Sequence, residues 1–244
     1  MNWEKHGIDI SKIRGGKGFC PKCHDSRKNR NDRELSVDID RGLFNCHHCG
    51  FKGSAVEYEK KREYVKPLPR LEKVGEKALK FFESRGISNN TLLRLNVTEA
   101  VEWMPQFDKE ATCICFNYYR GDDLVNIKFR GPDKSFKLAK DAELVFYNMN
   151  ALQGEETAVI VEGEIDCLSM YEAGIYNAVS VPNGASKGNQ RLEYLDNCWD
   201  AFKSISMVVL ATDNDEAGQS LKEELARRLG RERCWLVDFP DDCK

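Results

Sequence analysis

The chain has 244 residues, of which 41% are hydrophobic and 32% charged, with a formal net charge of -3. At roughly 100–200 residues per domain this length holds one large domain or two, and the apolar content suffices for a packed core of about 150 residues. No run approaches the roughly 20 apolar residues of a membrane span, and Met1 to Ser11 lacks the apolar stretch of a signal peptide, so the expectation is a soluble protein with no membrane partner.

The near-neutral total conceals an asymmetry: Lys12 to Arg33 carries eight Lys/Arg against two Asp, whereas Glu155 to Lys244 carries nine Lys/Arg against eighteen Asp/Glu. A basic head suits a polyanion and an acidic tail suits metal cations. Of the ten cysteines, four form two CxxC pairs near the N-terminus and six are scattered through apolar or helical stretches. That is no disulfide scaffold. It points to a reducing compartment, the cytoplasm of a bacterium or a phage-infected host cell.

In chain order, Gly15 to Gly53 reads as short β segments and knuckles. Glu34 to Asp40 alternates polar and apolar as a half-buried strand does, and pairs across Arg41-Gly42 with Leu43 to Cys46. The pairs Cys20/Cys23 and Cys46/Cys49 are separated by 22 residues. Two such knuckles turn four thiolates onto one cation, which makes these cysteines the expected ligands of one structural zinc ion. Arg27, Lys28, Arg30 and Arg33 at the hairpin tip, with Phe44 on the neighbouring strand, suggest cations on phosphates and an aromatic ring on unpaired bases. His24, His47 and His48 are expected at the surface or at a template. A short helix is expected over Ser54 to Arg62, and Tyr64 to Leu71, with Pro67 and Pro69 among charges, reads as a linker.

Val74 to Arg85 has helical spacing and stops at Gly86, and Ile87 to Leu95 suggests a second short helix capped near Ser88. Thr112 to Tyr119 and Leu124 to Arg130 read as a hairpin around Gly121-Asp122-Asp123. From Thr157 on, strands and helices alternate. Strands are expected over Ala158–Val161, Ala178–Val181, Met207–Ala211 and Cys234–Val237, and helices over Glu164–Ala173, Gln190–Phe202 and Glu216–Leu229. Nearly all-apolar strands alternating with helices mean a parallel sheet covered by helices.

Two acidic motifs follow strands of that sheet, where open α/β sheets place their ligands. One is Glu162-Gly163-Glu164-Ile165-Asp166. The other, Asp213-Asn214-Asp215-Glu216-Ala217-Gly218, spaces two carboxylates to project to the same side of extended backbone. Converging carboxylate oxygens at Glu162, Asp213 and Asp215 suit magnesium, with manganese as a substitute, and Gly163 and Gly218 leave room for substrate at the backbone. Taken singly, Asp215 equally caps the helix that follows, and Asp166 equally complements a helix N-terminus.

EGxxD followed about 50 residues later by DxDxxG resembles the Toprim domain of primases, topoisomerases and some nucleases. The fuller pattern VEGEIDCLSM, SVPNGAS, ATDNDEAG is similar to the phage primase–helicase family and its mitochondrial-helicase relatives. The resemblance covers nearly the whole chain and implies an α/β protein in four parts: a zinc-binding β ribbon over 1–58, a linker over 59–72, a mixed α+β basic subdomain over 73–155, and a Toprim domain over 156–244. It also implies that Lys128, Lys134 and Lys137 hold nucleotide phosphates, with Arg130 assisting. The implied activity is DNA-directed RNA synthesis: a primase making short RNA from ribonucleoside triphosphates on single-stranded DNA, partnered by a replicative helicase, fused or separate. The family's third acidic motif, a Lys-Asp pair after the last strand, is expected beyond Lys244, with Asp241 or Asp242 as substitutes. Two rivals remain, a Toprim nuclease and a DNA-binding recombination mediator without catalysis. The basic segment favours the primase over the nuclease, and the roughly 110 residues between ribbon and Toprim motifs disfavour the mediator.

Overall fold

The computed structural model of the chain describes residues 1–56, 63–185 and 192–240. It divides into two compact units, Met1–Glu63 and Tyr64–Lys244.

The first unit is a four-stranded antiparallel sheet, β1 (Lys17–Gly18), β2 (Leu35–Asp38), β3 (Leu43–Cys46) and β4 (Lys52–Ser54), ordered as in the chain. Alternation fixes its faces: Leu35 and Val37 of β2 turn inward, while Ser36 and Asp38 turn out opposite Asn45 and Leu43. The hairpin is the expected one, with Gly42 in the left-handed region (φ 67) that a Cβ disfavours. The polar opening segment does more than its composition suggests, because Trp3, Ile8 and Ile13 are buried against Phe44 and the cysteines. Most of the helix expected over Ser54–Arg62 lies outside the described residues, and its first residue ends β4.

The second unit begins with the two expected helices, α1 (Glu76–Glu83) and α2 (Asn89–Arg94), the latter capped by Ser88, whose side chain accepts from the Thr91 N–H at 3.3 Å. An antiparallel sheet follows, β5 (Val97–Met104), β6 (Lys109–Arg120), β7 (Asp123–Arg130) and β8 (Phe136–Leu138). The hairpin β6–β7 matches expectation. Strand β5 has no clean alternation, with Val101 and Trp103 exposed, and β8 is three residues long, so neither carried a readable signal. The last part is a fully parallel sheet in the order β10-β9-β11-β12, with β9 (Thr157–Val161), β10 (Ala178–Ser180), β11 (Met207–Ala211) and β12 (Cys234–Leu236). It is flanked by α3 (Glu164–Glu172), α4 (Glu193–Asn197) and α5 (Glu216–Leu229). The long helix expected over Gln190–Phe202 is instead α4 and a 3-10 turn (Trp199–Phe202); Gln190 lies outside the described residues.

One apolar cluster runs from Phe82 to Leu229, so the basic subdomain and the parallel sheet share a core rather than forming separate domains. The stretch expected as a linker also divides. Residues 64–72 run along this second unit: the Val65 N–H donates to Asp141 O at 2.9 Å, Lys66 pairs with Asp123 at 2.8 Å, and Arg70 pairs with Glu102 at 2.9 Å. The cations Lys66 and Arg70, which read as solvent-seeking in the sequence, each find an opposite charge on the antiparallel sheet.

Candidate active site and metal centres

In the ribbon, the backbone turns after β1 and β3 bring all four cysteine sulfurs within 4.8 Å of one another. Cys20 Sγ and Cys49 Sγ are 3.7 Å apart, as are Cys23 Sγ and Cys46 Sγ. A tetrahedral ion with sulfur ligands at about 2.3 Å requires sulfurs about 3.8 Å from each other, so the donor set fits zinc. Burial pushes the Cys20 and Cys23 thiols up, whereas the Phe51 N–H brings Cys49 down to about 7, favouring the thiolate a metal binds. Glu34, nearly buried, braces the site: it accepts from the Cys20 N–H at 2.9 Å and pairs with Arg27 at 2.9 Å.

That brace takes Arg27 out of the expected template surface, while Lys28 and Arg30 stay exposed. Arg27 is engaged by Glu34 and Asp32, Arg33 donates to Lys12 O and packs over the Phe19 ring, and Phe44 is 4% exposed, against Trp3, His6 and Phe51. An aromatic at an inward position of a small sheet is recruited to the core before it is free to stack on a base. The outer face instead carries a row made by cross-strand register, Lys17 opposite Ser36, Ser36 opposite Asn45, and Asn45 opposite Lys52. A shallow groove of about 570 Å³ runs along Ser36, Asn45 and Lys52.

In the second unit, β9 and β11 are neighbours with Val161 opposite Ala211, so the residues just beyond them emerge side by side at one edge. Glu162 follows β9; Thr212, Asp213, Asn214 and Asp215 follow β11. The second acid of each motif is used locally. Asp166 accepts from the Gly163 N–H at 2.9 Å to cap α3, and Asp215 Oδ1 accepts from the Gly218 N–H at 2.8 Å to cap α5. Both local readings therefore hold, and among the described residues the other oxygen of Asp215 is left over. Glu162 Oε1 is buried without a hydrogen-bond partner among the described residues. Burial raises the Glu162 carboxyl to about 7, helped by the charges of Asp213, Asp215 and Asp166. Asp166 reaches solvent at its edge, yet surrounding protein raises it to about 6, Asp213 adding to the effect. Glu162 lies within reach of the charges of Asp213 and Asp215, but among the described residues the three carboxylates are not drawn within 4.8 Å of one another as the cysteines are; their hard oxygen donors are of the type that suits a divalent cation such as magnesium.

Gly218 has a different role from the one expected. A Cβ there would lie 2.2 Å from Asp213 O and 2.6 Å from Glu162 Oε1, so the missing side chain lets α5 close on the acidic loop itself.

The basic segment does not act as one cluster. Register on β7 and β8 places Lys128, Arg130 and Phe136 on one face and Phe129 with Lys137 on the other. Lys137 accordingly pairs with Glu102 at 3.2 Å, away from Lys128. Lys128 is nearly buried and pairs with Glu164 Oε1 at 2.9 Å, where the Tyr118 hydroxyl also donates. Lys134 is exposed on the turn before β8, at φ 58. Arg130 packs over the rings of Phe81 (5.3 Å) and Phe136 (5.1 Å), and Arg85 lies over the same Phe81 at 4.0 Å. Among the described residues neither guanidinium has a hydrogen-bonded or ionic partner. Burial lowers the Arg130 pKa, and the like charge of Arg85 lowers it further. Glu164 acts on Arg130 more weakly and in the opposite sense, and two cations gathered on one ring with no ion-paired acid among the described residues suit an oxyanion. Sequence reading missed Arg85 because Arg-Gly at a helix end reads as a stop signal. Of the expected phosphate-binding groups, the geometry leaves Lys134 and Arg130 available and joins Arg85 to them.

Comparison with known proteins follows this geometry. The Toprim-like family matches residues 159–244. The chain is 35% identical to a "Primase homolog protein" of Arabidopsis thaliana over 91% of this chain and 71% of that protein. It is 32% identical to the "Twinkle homolog protein, chloroplastic/mitochondrial" of the same plant, over 97% of this chain but 36% of the relative. Its fold resembles the primase fragment of the bacteriophage T7 primase-helicase protein, with a TM-score of 0.56 and 22% identity over 92% of this chain and 90% of that one. It also resembles the zinc-binding and RNA polymerase domains of the Aquifex aeolicus primase, with a TM-score of 0.53 and 14% identity over 98% and 76%. With a primase homologue 35% identical and matched over 71% of its length, and a Toprim-like sheet bearing its acids at the strand ends, this chain belongs to the primase family with a Toprim domain.

Proposed function

We propose that the chain synthesises short RNA from ribonucleoside triphosphates on a single-stranded DNA template. The observation that carries this reading is Glu162, whose Oε1 is buried without a hydrogen-bond partner among the described residues and which lies under the charges of Asp213 and Asp215, in the same unit as the cations Arg130, Arg85 and Lys134. Acids that take a divalent cation and cations that take phosphate oxygens are the two halves of a nucleotidyl-transfer site. Glu162, Asp213 and the free oxygen of Asp215 would hold magnesium, which when bound neutralises phosphate charge and orients a 3′-hydroxyl. Arg130, Arg85 and Lys134 would hold the triphosphate. Lys128, joined to Glu164 at the start of α3, fixes the antiparallel sheet to the acidic loop, and Lys137 braces the far face.

The ribbon, with zinc on Cys20, Cys23, Cys46 and Cys49, would read the template on its outer face. Asn45 and Ser36 offer donors and acceptors to base edges, and Lys17 and Lys52 attract phosphates. A replicative helicase is the expected partner.

The test is one incubation with single-stranded DNA, magnesium and labelled ribonucleotides. Oligoribonucleotides support the reading; shortened DNA points to a nuclease, and a gel shift without products to a binding protein. Asp213→Asn and Asp215→Asn should abolish synthesis while DNA binding stays near normal. Near-normal synthesis by either under saturating magnesium would remove the metal assignment.

A further inference from the structure

Lys222 sits on the inward stripe of α5 between Leu221 and Leu225 and is 1% exposed. A buried ammonium is costly unless it is satisfied, and an apolar residue would fill this position without that cost. Its Nζ donates to Val237 O at 2.8 Å and lies 3.8 Å from Asp238, both in the segment that follows β12. The same segment is gripped a second time: the Asn214 side-chain amide donates to Phe239 O at 2.6 Å. Asn214 stands between Asp213 and Asp215, and Lys222 lies one helical turn beyond Gly218, the residue pressed against Asp213 and Glu162. A third tie, the Val237 N–H to Leu210 O at 3.0 Å, secures the segment to β11 itself. The exit segment is thus fastened to both sides of the acidic loop by two side chains to which the reaction assigns no task.

We propose that Asn214 and Lys222 are positioning residues of the divalent-cation site, locking residues 237–239 to the Asp213–Asp215 loop so that its carboxylates stay gathered. The physical need is plain. Like-charged carboxylates repel, and the loop carrying two of them is tied to α5 by the Asp215 cap and by the Thr212 hydroxyl, which donates to Gly218 O at 2.9 Å, so the Asn214 contact adds a hold on its other side. The exit segment, with Val237 and Phe239 packed on the core, is the ballast that holds the loop in place. This inference rests on Glu162, Asp213 and Asp215 forming the cation site, and it holds whatever reaction that cation serves.

The experiment uses the full, zinc-loaded chain and reads manganese binding directly, by titrating free Mn2+ with electron paramagnetic resonance. Asn214→Ala should weaken the site lost in Asp213→Asn by roughly tenfold, the scale for residues that orient metal ligands. Lys222→Met should weaken it comparably, and the double variant should fall short of the product of the two, since both hold one segment. In synthesis assays the half-saturating Mg2+ should rise while the rate at excess Mg2+ recovers, whereas mere loss of folded protein lowers the rate at every concentration. Asn214 is exposed, so Asn214→Ala decides the matter if Lys222→Met does not fold. Wild-type manganese affinity in folded Asn214→Ala overturns the proposal. A wild type that binds Mn2+ at these acids but makes no RNA overturns the proposed synthesis and leaves the positioning role to be read from the titrations alone.

Discussion

Among its described residues Met1–Glu63 buries a core of ten side chains, three of them the cysteines Cys20, Cys23 and Cys46, while the parallel sheet of the second unit is enclosed by a cluster of 35. Three of the four cysteines of the first belong to its core, with Cys49 exposed beside them; the acids of the second stand at the strand ends, outside theirs. A closed thiolate site on a small core makes the cation a building material. An open carboxylate site on a large core makes it a reagent, bound and released without loss of the fold. The same element type, a sheet, serves a metal in opposite ways because of how much apolar surface it buries by itself.

The most severe way to break this comparison is to remove the zinc. Chelation, or Cys46→Ser, should unfold Met1–Glu63 outright, since structural zinc contributes on the order of 10 kcal/mol to such units. The second unit should melt as before. Calorimetry with hydrogen exchange resolves the two, and a matching loss of protection in β9 and β11 would show that the units are not independent.

The charges within the second unit give the next largest effect. Lys128→Met leaves Glu164 buried beside the Tyr118 hydroxyl with no cation, which should destabilise the unit by about 3–5 kcal/mol. Lys128→Met with Glu164→Leu should recover most of that loss, because the cost lies in the unpaired charge. The exposed pair Lys66–Asp123 should contribute less than about 1 kcal/mol. Urea titrations of the single and double variants decide it: a double variant as unstable as the single one places the cost in packing instead.

How far the sequence disclosed this arrangement follows the same division. Motifs whose chemistry is local were legible: the CxxC spacing, the β2–β3 hairpin, the apolar strands β9 and β11, and α5 with its Asp215 cap. What escaped depends on partners distant in the chain. Nothing near Phe44 announces that Trp3 and Phe51 enclose it, nothing near Arg27 announces Glu34 as its partner, and Lys128 reads as a free cation until Glu164 is placed beside it. The family resemblance groups Lys137 with Lys128, whereas the pleat of β7 and β8 sends them to opposite faces. Arg85 and Arg130 converge only when α1 packs on the sheet.

A gentler test varies pH. Glu162, raised from 4.5 to about 7, and Asp166, raised from 3.8 to about 6, hold protons in the folded state that the unfolded chain has released. Without a divalent cation this site's contribution to stability therefore falls as pH rises from about 4 to about 7. A cation competes with those protons, so Mn2+ affinity should rise with pH by about tenfold per unit for each proton displaced, levelling above about 7. Glu162→Gln should flatten the profile as well as weaken binding. A wild-type affinity constant from pH 5.5 to 8 would mean that the acids are already ionised and the site is wetter than its geometry implies.

The smallest effect sharpens where one unit ends. Were residues 64–72 a free linker, a fragment starting at Lys73 and one starting at Tyr64 would be equally stable. The contacts say otherwise. Val65 and Glu72 each make a backbone hydrogen bond to the second unit, to Asp141 O at 2.9 Å and from the Glu99 N–H at 3.0 Å, and the Tyr64 hydroxyl reaches Asn197 at 3.3 Å. Arg70 shares Glu102 with Lys137, so its removal leaves that carboxylate with one cation of two. Each tie is exposed or half-exposed and contributes little, roughly 0.5–1.5 kcal/mol per net hydrogen bond, and ordering nine residues offsets part of the sum. The net expectation is about 1–2 kcal/mol, or a melting temperature lower by about 2–8 °C for the fragment starting at Lys73. Both fragments should retain the acids and Arg130, and both should extend a short RNA already annealed to DNA, while neither starts chains at a chosen template sequence. Equal melting temperatures would return 64–72 to the linker and lengthen the ribbon's reach by those nine residues. A lower one for the shorter fragment makes residues 64–72 part of the second unit rather than of a linker reaching to residue 72.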